Sequence, residues 1–271
     1  MDVRSWVSQA AVAVVCLSMA ASLGAQTTTD KPYQPSVGQP GKDVVWVPTS
    51  DQLVQKMLDM ASVTAQDHVI DLGSGDGRTV IAAAKRGATA MGIEYNPDMV
   101  ELSKKNAAAA GVNVTFVKAD LFETDLSRAT VITMFLLPSI NLQLRPKLLD
   151  LKPGTRIVSN SFAMEDWEPD QEATVTSDCT NWCTALFWIV PAKVEGTWRM
   201  PAGELTLRQE FQNVYGRLGT TEITGGRLRG DTLTFTAGPT SYSAKVTGST
   251  MTGAGGRGGT WTARRDPVAG Q

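Results

Sequence analysis

The chain predicts an α/β domain with a mostly parallel sheet covered by helices, followed by a small antiparallel β meander. Three observations carry this reading. Short apolar strands alternate with helical segments from about residue 50 to residue 190. A glycine-rich turn, Gly73-Ser74-Gly75-Asp76-Gly77, follows the first of those strands directly. After Pro191 the helical signals stop, and alternating apolar and polar residues are punctuated by glycines.

Each element has its own signal. Thr49 stands three residues before Gln52 as a capping box for a first helix, with Leu53, Met57, Met60 and Ala61 on one face. Residues 68–72 form a short apolar strand, 79–86 an alanine-rich helix and 89–94 a second strand. Asn96 caps the next helix, Pro97 suits its first position, and Gly111 suits its left-handed end. Glu101 and Lys105 pair on its exposed side. Residues 114–117 and 130–135 are the third and fourth strands, 142–149 a helix and 156–160 a fifth strand. Residues 172–175 and 185–190 are an antiparallel edge pair. In the meander, Leu205, Leu207, Gln209 and Phe211 alternate with polar residues, as do Leu233 and Phe235. Gly196-Thr197-Trp198 is echoed by Gly259-Thr260-Trp261, which points to two strands meeting in a closed or nearly closed sheet.

Composition bounds the function. The chain has 271 residues, 42% apolar and 19% charged, an ordinary globular mix that suits one large domain and one small one. A formal net charge of −2 supplies no basic field for a nucleic-acid backbone, so a protein or small molecule is the partner indicated. Residues 10–21 form an apolar run too short for a comfortable membrane span, with small residues before Gln26. That reads as a signal peptide over 1–25; the alternative is an uncleaved N-terminal helix. Cleavage implies an exported protein, periplasmic or secreted, without a stable membrane span; retention implies a membrane-anchored one. Cys16 is followed by Leu17, which argues against a lipoprotein cut. Residues 26–45, rich in Thr, Pro, Gly and Lys, read as a linker or arm. The main domain then covers 46–191, the antiparallel β domain 192–265, and a tail 266–271. Cys179 and Cys183 can bond across a turn through Thr180-Asn181-Trp182 or remain free thiols. His68 is the only histidine and no CxxC pair exists, so no metal site is expected.

In a Rossmann-like sheet, ligands sit beyond the carboxyl ends of the strands where the strand order reverses. Here the first strand ends at Asp71 and runs into Gly73, Ser74, Gly75, Asp76 and Gly77. The spacing is GxGxG, and the acids Asp71 and Asp76 suit a ligand that carries a positive sulfonium and an amino group rather than phosphates. Glu94, ending the second strand, can accept from both hydroxyls of a ribose; Tyr95 follows it. After the third strand, Asp120 can accept from an adenine amino group, with Leu121 or Phe122 packed on the ring. An ordinary tight turn and mere surface acids are the alternatives; the ordered set on successive strand ends favours the binding site.

These residues resemble the class I, seven-β-strand methyltransferases over about residues 46–190. The run from Val69 to Arg78 is similar to the family's first motif, and Glu94 and Asp120 fall where its ribose- and adenine-binding acids fall. The resemblance implies a sheet of order 3-2-1-4-5-7-6 with an antiparallel last strand, and S-adenosylmethionine as donor. Val47-Pro48-Thr49, Phe135-Leu136-Leu137-Pro138 and Leu144-Arg145-Pro146 further resemble the small lysine methyltransferases of the adenine nucleotide translocase and ATP synthase c-subunit type. That resemblance implies a lysine on a protein acceptor. It covers neither the N-terminal start nor the meander.

Methyl transfer from a sulfonium is an in-line displacement, so the protein chiefly aligns the reactants. No Asn-Pro-Pro-Tyr motif follows the fourth strand, which disfavours amide or nucleobase N-methylation by that motif. Phe135 and Pro138 are instead candidate walls of a narrow amine channel, or else packing residues. Trp46 and Pro48 are a candidate lid, or an anchor in the core. Trp167, Trp182 and Trp188 read as core or edge packing, and no general base stands out. A small-molecule methyltransferase and a non-catalytic cofactor-binding or interaction module are the competing readings. Export would separate the enzyme from a donor made in the cytosol, a conflict the sequence leaves open.

Overall fold

Strands that are buried on both faces must sit in the middle of a sheet, and the apolar run in β1 (His68–Leu72) puts it there. The computed structural model describes residues 33–255 and 259–266. The signal segment, residues 26–32 of the arm and residues 267–271 of the tail lie outside the described residues.

Helix α1 (Asp51–Met60) precedes β1; α2 (Arg78–Lys85), β2 (Thr89–Glu94), α3 (Pro97–Ala109) and β3 (Thr115–Lys118) follow it. Next come β4 (Val131–Met134), α4 (Pro138–Leu149), β5 (Arg156–Asn160), β6 (Gln171–Thr174) and β7 (Thr184–Ile189). The sheet order is β3-β2-β1-β4-β5-β7-β6. Strands β2 to β5 run parallel to β1, and β7 pairs antiparallel with both β5 and β6. This is the order the resemblance implied. Burial explains it, since β4 and β5 are apolar and covered while the outer strands β3 and β6 are largely exposed.

Local chemistry sets the ends of the elements. The cap of α1 is Ser50, whose hydroxyl accepts from the Leu53 N–H, rather than Thr49. Thr49 is buried, and its hydroxyl accepts instead from Asn160 Nδ2 at 3.2 Å. Asn96 caps α3 as expected, but Glu101 pairs with Lys104, one residue before the lysine expected. Helix α4 starts four residues earlier than its apolar pattern suggests, because Leu137 is extended and Pro138 fits the first helical position. At the amino-terminal edge of the sheet, Asp67 accepts from Thr130 Oγ1 at 2.7 Å and from Arg156 Nη2, tying β1, β4 and β5 together.

The C-terminal antiparallel meander closes into an eight-stranded barrel, as the echoed Gly-Thr-Trp segments indicated. Its strands are β8 (Gly196–Met200), β9 (Gly203–Glu210), β10 (Asn213–Leu218), β11 (Thr221–Arg229), β12 (Thr232–Ala237), β13 (Thr240–Thr247), β14 (Thr250–Gly255) and β15 (Gly259–Arg265). Closure comes where β15 meets β8, with Arg264 opposite Arg199 and Arg265 opposite Trp198. The echoed Gly-Thr-Trp segments therefore lie on neighbouring strands. Alternate residues point inward, so Trp198, Leu205, Leu233, Phe235, Met251 and Trp261 fill the interior with side chains, as an eight-stranded barrel allows.

The barrel is joined to the sheet domain by a seam of aromatic and polar contacts. Phe211, in the β9–β10 turn, stacks on the buried Trp167 at 5.9 Å between ring centroids. Gln212 Nε2 donates to the Glu168 carbonyl, and Arg227 Nη2 lies 2.7 Å from Asp170 Oδ1. Among the described residues no helix is long and apolar enough to cross a membrane.

Candidate functional site

The loop after β1 is shaped by what surrounds it. Gly75 has φ +54, and a Cβ there would stand 2.7 Å from Trp46 Nε1. Gly77 has φ +83, and a Cβ there would stand 2.6 Å from the Phe116 ring. Only glycine satisfies both demands at either place. The two differ in what they serve: Gly75 faces the cleft and Gly77 faces the core beneath α3.

The cleft opens above the carboxyl ends of β1, β2, β3 and β4. Asp71, Gly73, Ser74, Gly75, Asp76, Glu94, Tyr95, Asp120, Leu121 and Phe135 all line it. Gly77, Phe122 and Pro138 do not. Phe122 is half-buried against the core below, its N–H donating to Asp120 Oδ1 at 2.9 Å. Pro138 is exposed at the start of α4, so Phe135 alone of the two proposed channel residues reaches the cleft.

The acids differ in their commitments. Asp71 is buried and accepts from Thr133 Oγ1 at 2.6 Å. Burial, with some help from Asp76 and Glu94, pushes its carboxyl up to about 7 against the pull of that hydrogen bond. Glu94 clamps the loop, accepting from the Gly75 N–H and the Asn96 N–H at 2.9 Å each. Asp76 is taken up by Arg78, with Nη2 to Oδ2 at 2.6 Å, and Arg78 also donates to the Thr49 carbonyl. Asp76 thus ties the loop to the start of α1 through Arg78 while still lining the cleft.

The stretch read as a linker is part of the site. Gly38 N–H donates to the Trp46 carbonyl and Trp46 N–H to the Gln39 carbonyl, folding 38–46 into a tight loop. Residues 39–49 line the cleft, Trp46 and Pro48 among them. Lys42 reaches Asp120 Oδ2 at 2.5 Å and lies 4.8 Å from the centre of the Tyr95 ring. The Thr-, Pro- and Gly-rich composition of 26–45 hid this role; the apolar run Val44-Val45-Trp46-Val47 that follows it, with Trp46 and Pro48 as a candidate lid, was its signal. Sequence reasoning also missed Thr133, which holds Asp71.

The two cations lining the cleft, Lys42 and Arg78, are both paired with carboxylates, so no free basic pair awaits a pyrophosphate. The buried Asp71 carboxyl, raised to about 7 by desolvation, would ionise more readily beside a cationic ligand. Among the described residues no cluster of His, Cys, Asp or Glu is placed to hold a metal ion.

Known proteins agree with this geometry. The sequence matches the ANTKMT methyltransferase domain over residues 71–171. A protein-lysine N-methyltransferase of Saccharolobus islandicus is 42% identical over 151 residues, which is 54% of this chain and 94% of that protein. The human ATP synthase c-subunit lysine N-methyltransferase is 35% identical over 46% of this chain and 54% of its own length, so the chain spans about half of that relative. The crystal structure of an RNA methyltransferase from Salinibacter ruber, in complex with S-adenosyl-L-homocysteine, is 47% identical, with a TM-score of 0.51 over 55% of this chain and 96% of that one. The fold and the cleft are therefore those of an S-adenosylmethionine-dependent methyltransferase. The chain belongs to the class I S-adenosylmethionine-dependent methyltransferases, together with the Saccharolobus islandicus protein-lysine N-methyltransferase.

Proposed function

We propose that this enzyme methylates the ε-amine of a lysine on a protein acceptor. The likeness to the Saccharolobus islandicus protein-lysine N-methyltransferase, covering 94% of that protein, carries the reading. In it, Glu94 accepts from the ribose hydroxyls, and Asp120 accepts from the adenine amino group with Leu121 against the ring. Asp71 faces the cationic amino-acid part of the donor. The cofactor supplies a methyl group already activated on a sulfonium. Phe135 walls the approach of the amine and excludes water from one side of it. The amine's proton leaves to solvent before attack, and alignment provides most of the acceleration.

A second reading has RNA as the acceptor, favoured by the likeness to the Salinibacter ruber RNA methyltransferase. The net charge of −2 weighs against it. The test incubates the purified full chain with tritiated S-adenosylmethionine and a cell extract, then hydrolyses the labelled fraction. Label in methylated lysine supports the proposal; ribonuclease-sensitive label alone overturns it.

We further infer an exported protein from the N-terminal apolar run. The Cys179–Cys183 disulfide supports this, because such bonds persist in oxidising compartments. Mass analysis of the mature N-terminus from fractionated cells tests it, and an intact residue 1 in the cytosolic fraction overturns it.

A further inference from the structure

Trp182 stands out from the other tryptophans of the sheet domain. Trp167 and Trp188 are fully buried, as the sequence suggests, but Trp182 is 44% exposed. It has φ +54, a left-handed conformation that a bulky residue seldom adopts. Asp178, four residues earlier, has φ +52. Trp182 lies inside the loop closed by the Cys179–Cys183 disulfide, whose Cα atoms are 5.8 Å apart, and Asp178 immediately precedes that loop. The segment is also tied to its surroundings: Val175 N–H donates to the Cys183 carbonyl, and Gln52 Nε2 donates to Ser177 Oγ at 2.6 Å. An exposed indole is thus held in an unfavourable backbone conformation by a covalent clasp. Strain of this kind persists where the surrounding structure fixes it, and it gathers at ligand-binding places.

The indole is held beside the aromatic residue that reaches the cofactor cleft from the end of β4. Phe135 lines the cleft. Its ring centre lies 6.1 Å from that of Trp182 and 6.0 Å from that of Phe162, tilted to the first and stacked on the second. Phe162 follows Ser161, which also has a left-handed φ, of +59. The three rings therefore form one aromatic surface between the cleft and solvent. Aromatic faces attract ammonium groups, and methylated ammonium groups in particular.

We propose that Trp182, fixed by the disulfide, is a specificity-determining residue that receives the cationic lysine side chain of the acceptor and guides it along Phe162 and Phe135 to the donor. This rests on the lysine reading above. The π faces hold the charged amine at the entrance, and the proton is lost further in. The disulfide keeps the indole in register with Phe135, so its loss frees the segment without touching the cofactor cleft.

The experiment measures methylation of poly-L-lysine by the full chain with tritiated S-adenosylmethionine, in parallel with calorimetric binding of S-adenosylhomocysteine. Trp182→Ala is expected to raise the KM for poly-L-lysine by about tenfold, within the range of one cation–π contact, with product affinity unchanged. Trp182→Phe is expected to restore most of that loss, and the double change Cys179→Ser, Cys183→Ser to follow Trp182→Ala. An unchanged KM in Trp182→Ala, with poly-L-lysine still methylated by the unaltered chain, overturns the role of Trp182 and leaves the lysine reading intact. Label entering RNA and never lysine overturns both.

Discussion

Lys42 Nζ and Asp120 Oδ2 meet at 2.5 Å across the mouth of the cofactor cleft, from segments 78 residues apart in sequence. The hydrogen bond and charge of Lys42 hold the Asp120 carboxyl below the usual carboxylate range, and Asp120 raises Lys42 in turn. In the binding mode proposed above, Lys42 and the adenine amino group share Asp120 as their acceptor.

Cofactor binding in that mode has to compete with Lys42. The pair is solvent-exposed, so the competition is modest and screened by salt. Lys42→Ala is expected to tighten S-adenosylhomocysteine binding by about two- to fivefold at low ionic strength, the scale of one exposed ion pair. Asp120→Ala is expected to weaken it. Isothermal calorimetry of both variants at two salt concentrations reads the effect. Weaker binding in Lys42→Ala would mean that the arm holds the cofactor in place.

Asp71 gives the cleft a pH dependence. Its carboxyl lies near 7 in the folded protein against an ordinary 3.8, chiefly through burial. Between those values the folded chain keeps a proton that the unfolded chain has released. Stability from this group is therefore greatest below about pH 4, falls as pH rises toward 7, and levels beyond it, with a slope of at most about 1.4 kcal/mol per pH unit. Asp71→Asn keeps an acceptor for Thr133 and is expected to flatten the slope in urea titrations from pH 4 to 8. A cationic donor favours the ionised form, so S-adenosylmethionine affinity should climb to about pH 7 and then level. Calorimetry in buffers of different ionisation heat should show proton release on binding at pH 6. The same slope in Asp71→Asn as in the unaltered chain would assign the dependence to other groups.

The sheet and its ligand edge were legible because both rest on local chemistry. Apolar strand runs, the Asn96 cap with Pro97, and acids at successive strand ends each leave a mark within a few residues. The errors came where long-range partners decide. Asp76 lines the cleft as expected, but nothing in the local pattern shows that its partner Arg78 reaches the Thr49 carbonyl. Lys42 looks like linker until Asp120 meets it. The barrel's closure depends on β15 finding β8, about sixty residues earlier, and was legible only through the echo of Gly196-Thr197-Trp198 in Gly259-Thr260-Trp261. Trp182 resembles any edge-strand tryptophan until the disulfide turns it outward.

Gly75 and Gly77 sit two residues apart and should fail differently. Alanine at either meets a left-handed φ, worth about 1 kcal/mol of strain. At Gly75 the new Cβ presses on Trp46 Nε1, which belongs to the loop covering the cleft. At Gly77 it presses on Phe116 and Ser103, both buried. Gly75→Ala is expected to cost more than tenfold in S-adenosylhomocysteine affinity with a small drop in melting temperature. Gly77→Ala should lower the melting temperature more. Equal effects of the two changes on affinity would contradict the different faces assigned to them. Gly75→Arg, which fills the cleft itself, should abolish binding.

Phe211 tests whether barrel and sheet fold as one unit. Its ring lies between Trp167, stacked at 5.9 Å, and the Arg145 guanidinium, 5.4 Å from its centre. Trp167 in turn accepts at its carbonyl from Trp188 Nε1 on β7, at 2.8 Å. The chain of contacts runs from the barrel turn into the core of the sheet without passing the cleft. Phe211→Ala removes the stack and the cation–π contact and is expected to cost about 2 kcal/mol, below the value for a fully buried phenylalanine because Phe211 is half-buried. Phe211 also has φ +52, so Phe211→Gly removes the same contacts but relieves the strain and should cost less at the native backbone. Urea unfolding followed by circular dichroism should give a single transition in the unaltered chain, displaced to lower urea in both variants. S-adenosylhomocysteine affinity should stay unchanged. Two separate transitions in the unaltered chain would show that the seam contributes little and that the barrel is stable on its own.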